Sequence, residues 1–331
     1  MDTEKRKVKA LGLCSGGLDS ILAGLVLRMQ DIDVCWVSFE SPFFSSDKAR
    51  AASRETGIPL MVQRLADDYL EMLKNPRCGY GKHLNPCMDC HAFMFCKAGG
   101  IMEAQGFDFL FSGEVLGQRP MSQTLPSLQY VAKRSGYAGY ILRPLSAKKL
   151  APTIPEINGL VDREKLLDFS GRSRKPQMEL AKALGVTRYP APAGGCLLTD
   201  EGYTRRLADL FAHQQDLPEQ ELELLKHGRH FRLDSQTKAV VGRDRQDNEH
   251  IMSLANPVLD AVFSTVNVPG PLVLVPRGGS RQGLDLAAAL CLAYAKAPKD
   301  RPSPVKMSFK GQESTRLLPP CSRENFVPYL L

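Results

Sequence analysis

Apolar and polar positions switch between two periods along the first two hundred residues. Residues 8–14, 34–39 and 60–65 are short apolar runs bounded by turn signals, the pattern of strands buried on both faces. Stretches of helical period lie between them. Over residues 19–29, Ile21, Leu22, Leu25 and Val26 fall on one face, as an amphipathic helix requires. Residues 45–56 and 66–74 read as further helices, and a helix over 94–105 leads into a strand over 107–112. Residues 140–144 form one more short strand. Strand and helix in alternation predict an α/β fold, a doubly wound parallel sheet, whose ligands gather at the carboxyl ends of the strands.

Past residue 200 the texture changes. Residues 201–214 and 218–226 are charged helices. Short β-like pieces follow at 230–233, 238–241 and 272–275, with helices at 248–254 and 285–295 and a loop at 298–304. This order predicts a second, smaller α+β domain. The reading is one domain over 1–204 and another over 205–331, in keeping with about two domains for 331 residues.

Composition narrows the class. Hydrophobic residues are 43% and charged residues 24%, which excludes a disordered or fibrous chain. The most apolar stretch, 284–295, is interrupted by Asp285 and falls short of the roughly 20 residues a membrane span needs. The N-terminal residues are charged and lack the apolar core of a signal peptide. No membrane association and a cytoplasmic location are expected. In that reducing compartment nine cysteines point to metal binding, catalysis or burial, not to a disulfide framework. Cys14, Cys35 and Cys291 sit in apolar runs and are expected in the core.

The net charge of +7 comes from 43 basic and 36 acidic residues, and its distribution matters more than its size. Residues 115–155 hold Arg119, Lys133, Arg134, Arg143, Lys148 and Lys149 and no acid; Arg172, Arg174 and Lys175 follow. A solvated face has this pattern, and so has a surface that neutralises RNA phosphates. Tyr130, Tyr137 and Tyr140 interleave with these cations and are candidates to stack unpaired bases.

The sharpest local motif is Ser15-Gly16-Gly17-Leu18-Asp19-Ser20, between the first strand and the first helix. Two glycines let the backbone turn and approach a ligand closely. The helix that follows offers N–H groups and its positive end to an anion. Ser15 and Ser20 add hydroxyl donors, and Asp19 can hold Mg2+ between phosphates. The motif lacks the Gly-Lys-Ser/Thr of a Walker loop.

Cysteine supplies the second chemistry. Asn85-Pro86-Cys87-Met88-Asp89-Cys90-His91 carries a Cys-x-x-Cys, and Ala193-Gly194-Gly195-Cys196 presents a thiol at a glycine turn. Three thiolates suit a [4Fe–4S] cluster with one iron left open. Zinc completed by His91 or His83 is an alternative. So is a Cys90/Cys196 pair passing persulfide sulfur through a disulfide. Cys78 and Cys96 are read as bystanders.

The 15–20 motif resembles the loop of the PP-loop ATP pyrophosphatases, and the resemblance implies ATP cleavage between the α and β phosphates to adenylate a carbonyl oxygen. Asn-Pro-Cys-x-x-Cys after such a loop is similar to the tRNA thiouridylases. Ser112-Gly113-Glu114-Val115-Leu116-Gly117-Gln118, with Ser122-Gln123-Thr124, resembles the tRNA 4-thiouridine synthetases, in which that block lines the nucleotide and uridine site. Cys87, Cys90 and Cys196 together resemble the cluster-dependent thiolases, as does the segment from Gly171 to Gln177. This covers about residues 5–200.

The second half resembles, more weakly, the RNA-binding domain of NFACT-type ribosome-associated proteins, through Gly228-Arg229-His230-Phe231-Arg232, Val240-Val241-Gly242-Arg243 and Asn248-Glu249. Gly278-Gly279-Ser280-Arg281 is a candidate anion nest. No THUMP module and no rhodanese domain are read in the sequence. The implied function is ATP-dependent tRNA uridine thiolation, 4-thiouridine first. The partners are tRNA and sulfide or another sulfur donor, and a homodimer is allowed. A 2-thiouridine synthetase using a cysteine persulfide pair, or another adenylating ligase, are the alternatives.

Overall fold

The computed structural model describes residues 6–65, 67–191 and 195–331, and the chain divides into two units, one up to Thr199 and one from Asp200. In the first, β1 (Lys9–Leu13), α1 (Leu18–Arg28), β2 (Asp33–Glu40), α2 (Asp47–Thr56), β3 (Leu60–Arg64), α3 (Asp67–Lys74) and α4 (Cys87–Gln105) alternate as the periodicity predicts. Then come β4 (Phe109–Ser112), α5 (Leu125–Ser135), β5 (Ile141–Leu142), α6 (Ile154–Ile157) and α7 (Lys175–Ala183). The strands form one sheet in the order β3-β2-β1-β4-β5, every pair parallel. Leu11, Trp36, Phe109 and Phe111 are fully buried in it.

Strand order fixes where a ligand can bind. The chain runs outward from β1 to β3, then returns to place β4 on the other side of β1. The connections leaving the carboxyl ends of β1 and β4 therefore diverge, and between them opens the crevice of a doubly wound sheet. The 15–20 loop leaves β1, and the 113–124 connection leaves β4.

One helix differs from expectation and one, α5, is not read in the sequence. α4 starts seven residues before the apolar period becomes visible, so the Cys-x-x-Cys forms its first turn. α5 is set by its ends: Thr124 accepts from the Ser127 amide at 3.3 Å, and Gly136 closes the helix in a left-handed conformation.

The second unit contains α8 (Glu201–His213), α9 (Glu219–Leu224), β6 (Arg229–Arg232), β7 (Lys238–Val241), α10 (Arg245–Leu254), β8 (Ala261–Thr265), β9 (Val273–Val275), α11 (Arg281–Ala293), β10 (Ser303–Phe309) and β11 (Gln312–Leu318). Its sheet runs β11-β10-β8-β9-β7-β6 with antiparallel pairs, the α+β character expected. Ala287, Leu290 and Cys291 of α11 join Phe231, Phe263 and Val275 in its core. The β10–β11 hairpin escapes sequence reading because β11 is almost wholly exposed and carries no apolar alternation. Among the described residues no helix is long and apolar enough to cross a membrane.

Candidate active site

At the crevice the backbone comes first. Gly16 has φ of 71°, and a Cβ there would lie 2.2 Å from the carbonyl carbon of Lys48. Only glycine lets the loop turn this way against the first turn of α2. The same loop is braced from within. The Gly16 amide donates to Cys14 Sγ at 3.4 Å, and Ser20 Oγ donates to the Gly17 carbonyl at 2.8 Å. Gly17 is the N-cap of α1 and supplies no side chain to its first turn. Leu18 is buried in the core, so only its backbone faces the loop. From the other side of the crevice, Gly113 packs so closely on α1 that a Cβ would come within 2.3 Å of Asp19.

Asp19 is the polar centre of this junction. Gln118 Nε2 donates to its Oδ2 at 3.1 Å, while Asp19 Oδ1 and Gln118 Oε1 are buried without a hydrogen-bond partner. Burial raises the Asp19 carboxyl, and the Gln118 hydrogen bond and the charges of Arg174 and Arg119 work against that rise. Both arginines are therefore electrostatic neighbours of Asp19. Arg174 Nε and the two amide atoms of Gln177 are also buried and unpartnered. A buried carboxylate oxygen left over beside a glycine loop suits a hard cation such as Mg2+.

The three thiols are coupled. Cys87 and Cys90 sit one turn apart on α4, which puts them on one face. Burial pushes Cys90 up to about 12, with the charges of Cys196 and Cys87 adding to the rise. Burial pushes Cys196 up to about 11, and Cys87 adds again. Cys87 is raised by burial, against the opposing charge of Arg119. Tyr69 OH lies 3.4 Å from Cys90 Sγ within a cluster of Phe43, Phe44 and Phe93. The Leu197 amide donates to the Phe43 carbonyl at 2.9 Å, which ties the Cys196 segment to the same place. Of its glycine turn, Ala193 and Gly194 lie outside the described residues.

Two cations join loop and thiols. Arg119 bears on both Asp19 and Cys87. Lys48 packs its backbone on Gly16, and its Nζ lies 3.5 Å from where a Gly195 Cβ would be. Sequence reasoning placed Arg119 among RNA contacts and missed Lys48, which belongs to no motif. Among the described residues no group of three or more His, Cys, Asp and Glu side chains could hold a metal ion. That holds for Cys87, Cys90 and Cys196 as it does for a zinc site completed by His91 or His83.

Glu114 is placed differently from a ligand-facing group. It is 6% exposed. Arg143 Nε donates to its Oε2 and His91 Nδ1 meets its Oε1, each at 2.9 Å; Ser112 Oγ donates to Oε2 at 3.1 Å. Burial alone would raise this carboxyl, but Arg143 and His91 hold it down at about 2. Glu114 and Ser112 are thus spent on an internal network behind the crevice.

The expectation that Arg143 contacts RNA is corrected by the same network: it is 7% exposed and its guanidinium is taken by Glu114. Lys148 Nζ donates to the Glu164 carbonyl at 2.8 Å. Arg119, Lys133, Arg134, Lys149, Arg172 and Lys175 are exposed, and Arg174 is half-buried. Tyr130 donates to Asp89 at 3.0 Å, and the Tyr137 ring lies on Gly99 of α4. Those two rings hold α5 to α4, which removes them from the stacking set. In the second unit the anion nest is filled internally: the Ser280 amide donates to Thr237 Oγ1 at 3.1 Å and Ser280 Oγ to Asp234 at 2.6 Å.

Fold and site together define a doubly wound α/β unit with a glycine loop at its switch point and coupled thiols beside it, followed by an antiparallel α+β unit. Residues 228–329, inside the second unit, match the model of the NFACT protein RNA binding domain. No curated protein matches the chain. Among solved structures, a 4-thiouridine synthetase–RNA complex with bound ATP is similar at 24% identity, covering 54% of this chain and 52% of that one, with a TM-score of 0.34. The NMN synthetase of Francisella tularensis is similar at 14% identity over 67% of this chain and 84% of that one, TM-score 0.34. The C-terminal part of the fibronectin/fibrinogen-binding protein of Streptococcus suis is similar at 16% identity over 47% and 77%, TM-score 0.28.

Proposed function

We propose that this chain is an ATP-dependent tRNA uridine thiolase that makes 4-thiouridine. The observation that carries the reading is the meeting of Cys87 and Cys90 of α4 with the Cys196 segment around Phe43 and Tyr69, with Arg119 bearing on both Cys87 and Asp19. Sulfur chemistry and nucleotide chemistry then share one crevice.

ATP lays its phosphates on the 15–20 loop, where Asp19 would hold Mg2+. The uridine O4 attacks the α-phosphorus, pyrophosphate leaves, and the oxygen becomes a good leaving group. Hydrosulfide attacks C4, and AMP departs with the former O4. Uridine, ATP and hydrosulfide thus give 4-thiouridine, AMP and pyrophosphate. Arg119 and Arg174 balance phosphate charge as it shifts onto AMP. Gln118 orients Asp19. Glu114 keeps Arg143 and His91 in place behind the site.

Cys87, Cys90 and Cys196 would hold the [4Fe–4S] cluster. A cubane takes its cysteines on separate irons, so Cys87 and Cys90, one turn apart on α4, with Cys196 from a second segment are a suitable donor set by residue type. Bound there, the cluster supplies Lewis-acidic iron with one position outside the protein ligands, where sulfide can be presented.

Two supports point to tRNA: the similarity of residues 228–329 to an RNA-binding domain and the exposed cations of the first unit. The deciding experiment is anaerobic reconstitution with iron and sulfide, followed by reaction with ATP, sulfide and tRNA. The expected results are about four irons per chain and 4-thiouridine in the digested tRNA, identified by mass and fragmentation. A 2-thiouridine product would transfer the reading to the other carbonyl, and product formation by iron-free protein would remove the cluster.

A further inference from the structure

A cavity of about 270 Å³ opens in the second unit between α11 and the sheet. We infer that it receives one unpaired purine base of an RNA strand, guanine in preference. This rests on the reading that the unit holds RNA.

The cavity follows from register. Arg281, Asp285 and Ala288 are spaced by three or four residues and share one face of α11. Met307 stands opposite Phe263 across the β10–β8 pair, and Val305 opposite Arg316 across the β10–β11 pair. Helix face and sheet face meet with Ala288 at the contact, where a larger side chain would close the gap. The floor is then Leu284 and the Met307 thioether, over the buried Phe263, and the rim carries Arg281, Asp285 and Arg316. Arg316 engages Asp285 through Oδ1.

This combination selects the ligand. An inorganic anion would gain nothing from the apolar floor and would be repelled by Asp285. An aliphatic ligand would leave the charged rim unused. A base offers a flat apolar face to the aliphatic and thioether floor and hydrogen-bonding edges to the charged rim, and unpaired RNA bases are read at those edges. Guanine matches best. Its N1–H and N2–H donors suit one carboxylate, and its O6 and N7 acceptors suit a guanidinium. The volume is just below the roughly 300–1,000 Å³ of sites for drug-sized ligands, in keeping with a single ring system.

The test uses the full chain and two labelled single-stranded hexamers, one all uridine and one with a single guanosine among uridines, read by fluorescence anisotropy. The guanosine hexamer is expected to bind about tenfold tighter, and GMP to compete better than UMP. Ala288→Leu, which projects into the cavity, and Asp285→Asn, an exposed change, should each bring the two hexamers to equal affinity while binding of the uridine hexamer holds. Should Ala288→Leu lower thermal stability, Asp285→Asn decides. Equal affinities in the parent chain, or a preference that survives Asp285→Asn, would overturn the inference while leaving RNA binding intact. Failure of both hexamers and of whole tRNA to bind would overturn it together with the RNA reading.

Discussion

Gln118 reaches across the mouth of the sheet to donate to Asp19 Oδ2 at 3.1 Å, and the other oxygen of that carboxylate is left buried and unpartnered. Under the proposed function that spare oxygen would hold Mg2+. Asp19→Asn keeps the Gln118 contact and the volume but removes the charge. AMP formation with tRNA and sulfide present should fall by at least about a hundredfold, as removing a metal ligand at a developing phosphate charge implies. Unaltered AMP release would take Asp19 out of the nucleotide site.

The residue after Cys196 is tied to Phe43, and Cys196 adds to the rise of Cys90 and is itself raised in part by Cys87. Cys196→Ala should abolish thiolation and leave ATP affinity unchanged, measured by equilibrium dialysis beside nucleoside analysis of the tRNA. Full thiolation by the variant would sink the sulfur-transfer scheme.

Lys133 and Arg134 are exposed in the last turn of α5. Reversing both charges should weaken tRNA binding and flatten its dependence on salt by about one unit of log–log slope for each phosphate no longer neutralised. A slope equal to that of the parent chain would exclude this face.

Glu114 and Arg143 form a buried pair. Glu114→Gln leaves the guanidinium uncompensated, at a cost of about 3–5 kcal/mol in unfolding free energy. Arg143→Met added to it should restore part of the loss, a comparison made by urea denaturation. The acid response has a definite sign. The folded carboxyl is held at about 2 against an ordinary 4.5, so the unfolded chain takes the proton first. The contribution is complete above about pH 4.5 and disappears as pH falls toward 2. The gap between parent and Glu114→Gln should close over that window; a gap independent of pH would contradict the ion pair.

Much of this was readable in the residues themselves. Local period fixes a strand or a helix because each element buries one face or both, and so β1 to β4 and the helices between them follow from the chain alone. The glycine loop after β1 is legible because only glycine tolerates its turn. The Cys-x-x-Cys is legible by spacing, though not as a helix start, since its first turn carries no apolar stripe. What the sequence could not decide is which distant residues meet. Arg119 and Arg143 look alike in a run without acids, yet one ends beside Asp19 and Cys87 and the other is buried against Glu114. Lys48 reaches the loop and Gly195 only because β1 and β2 are paired. Those outcomes depend on strand order and on helix rotation, which are set by the packing of the whole sheet and leave no local mark in the chain.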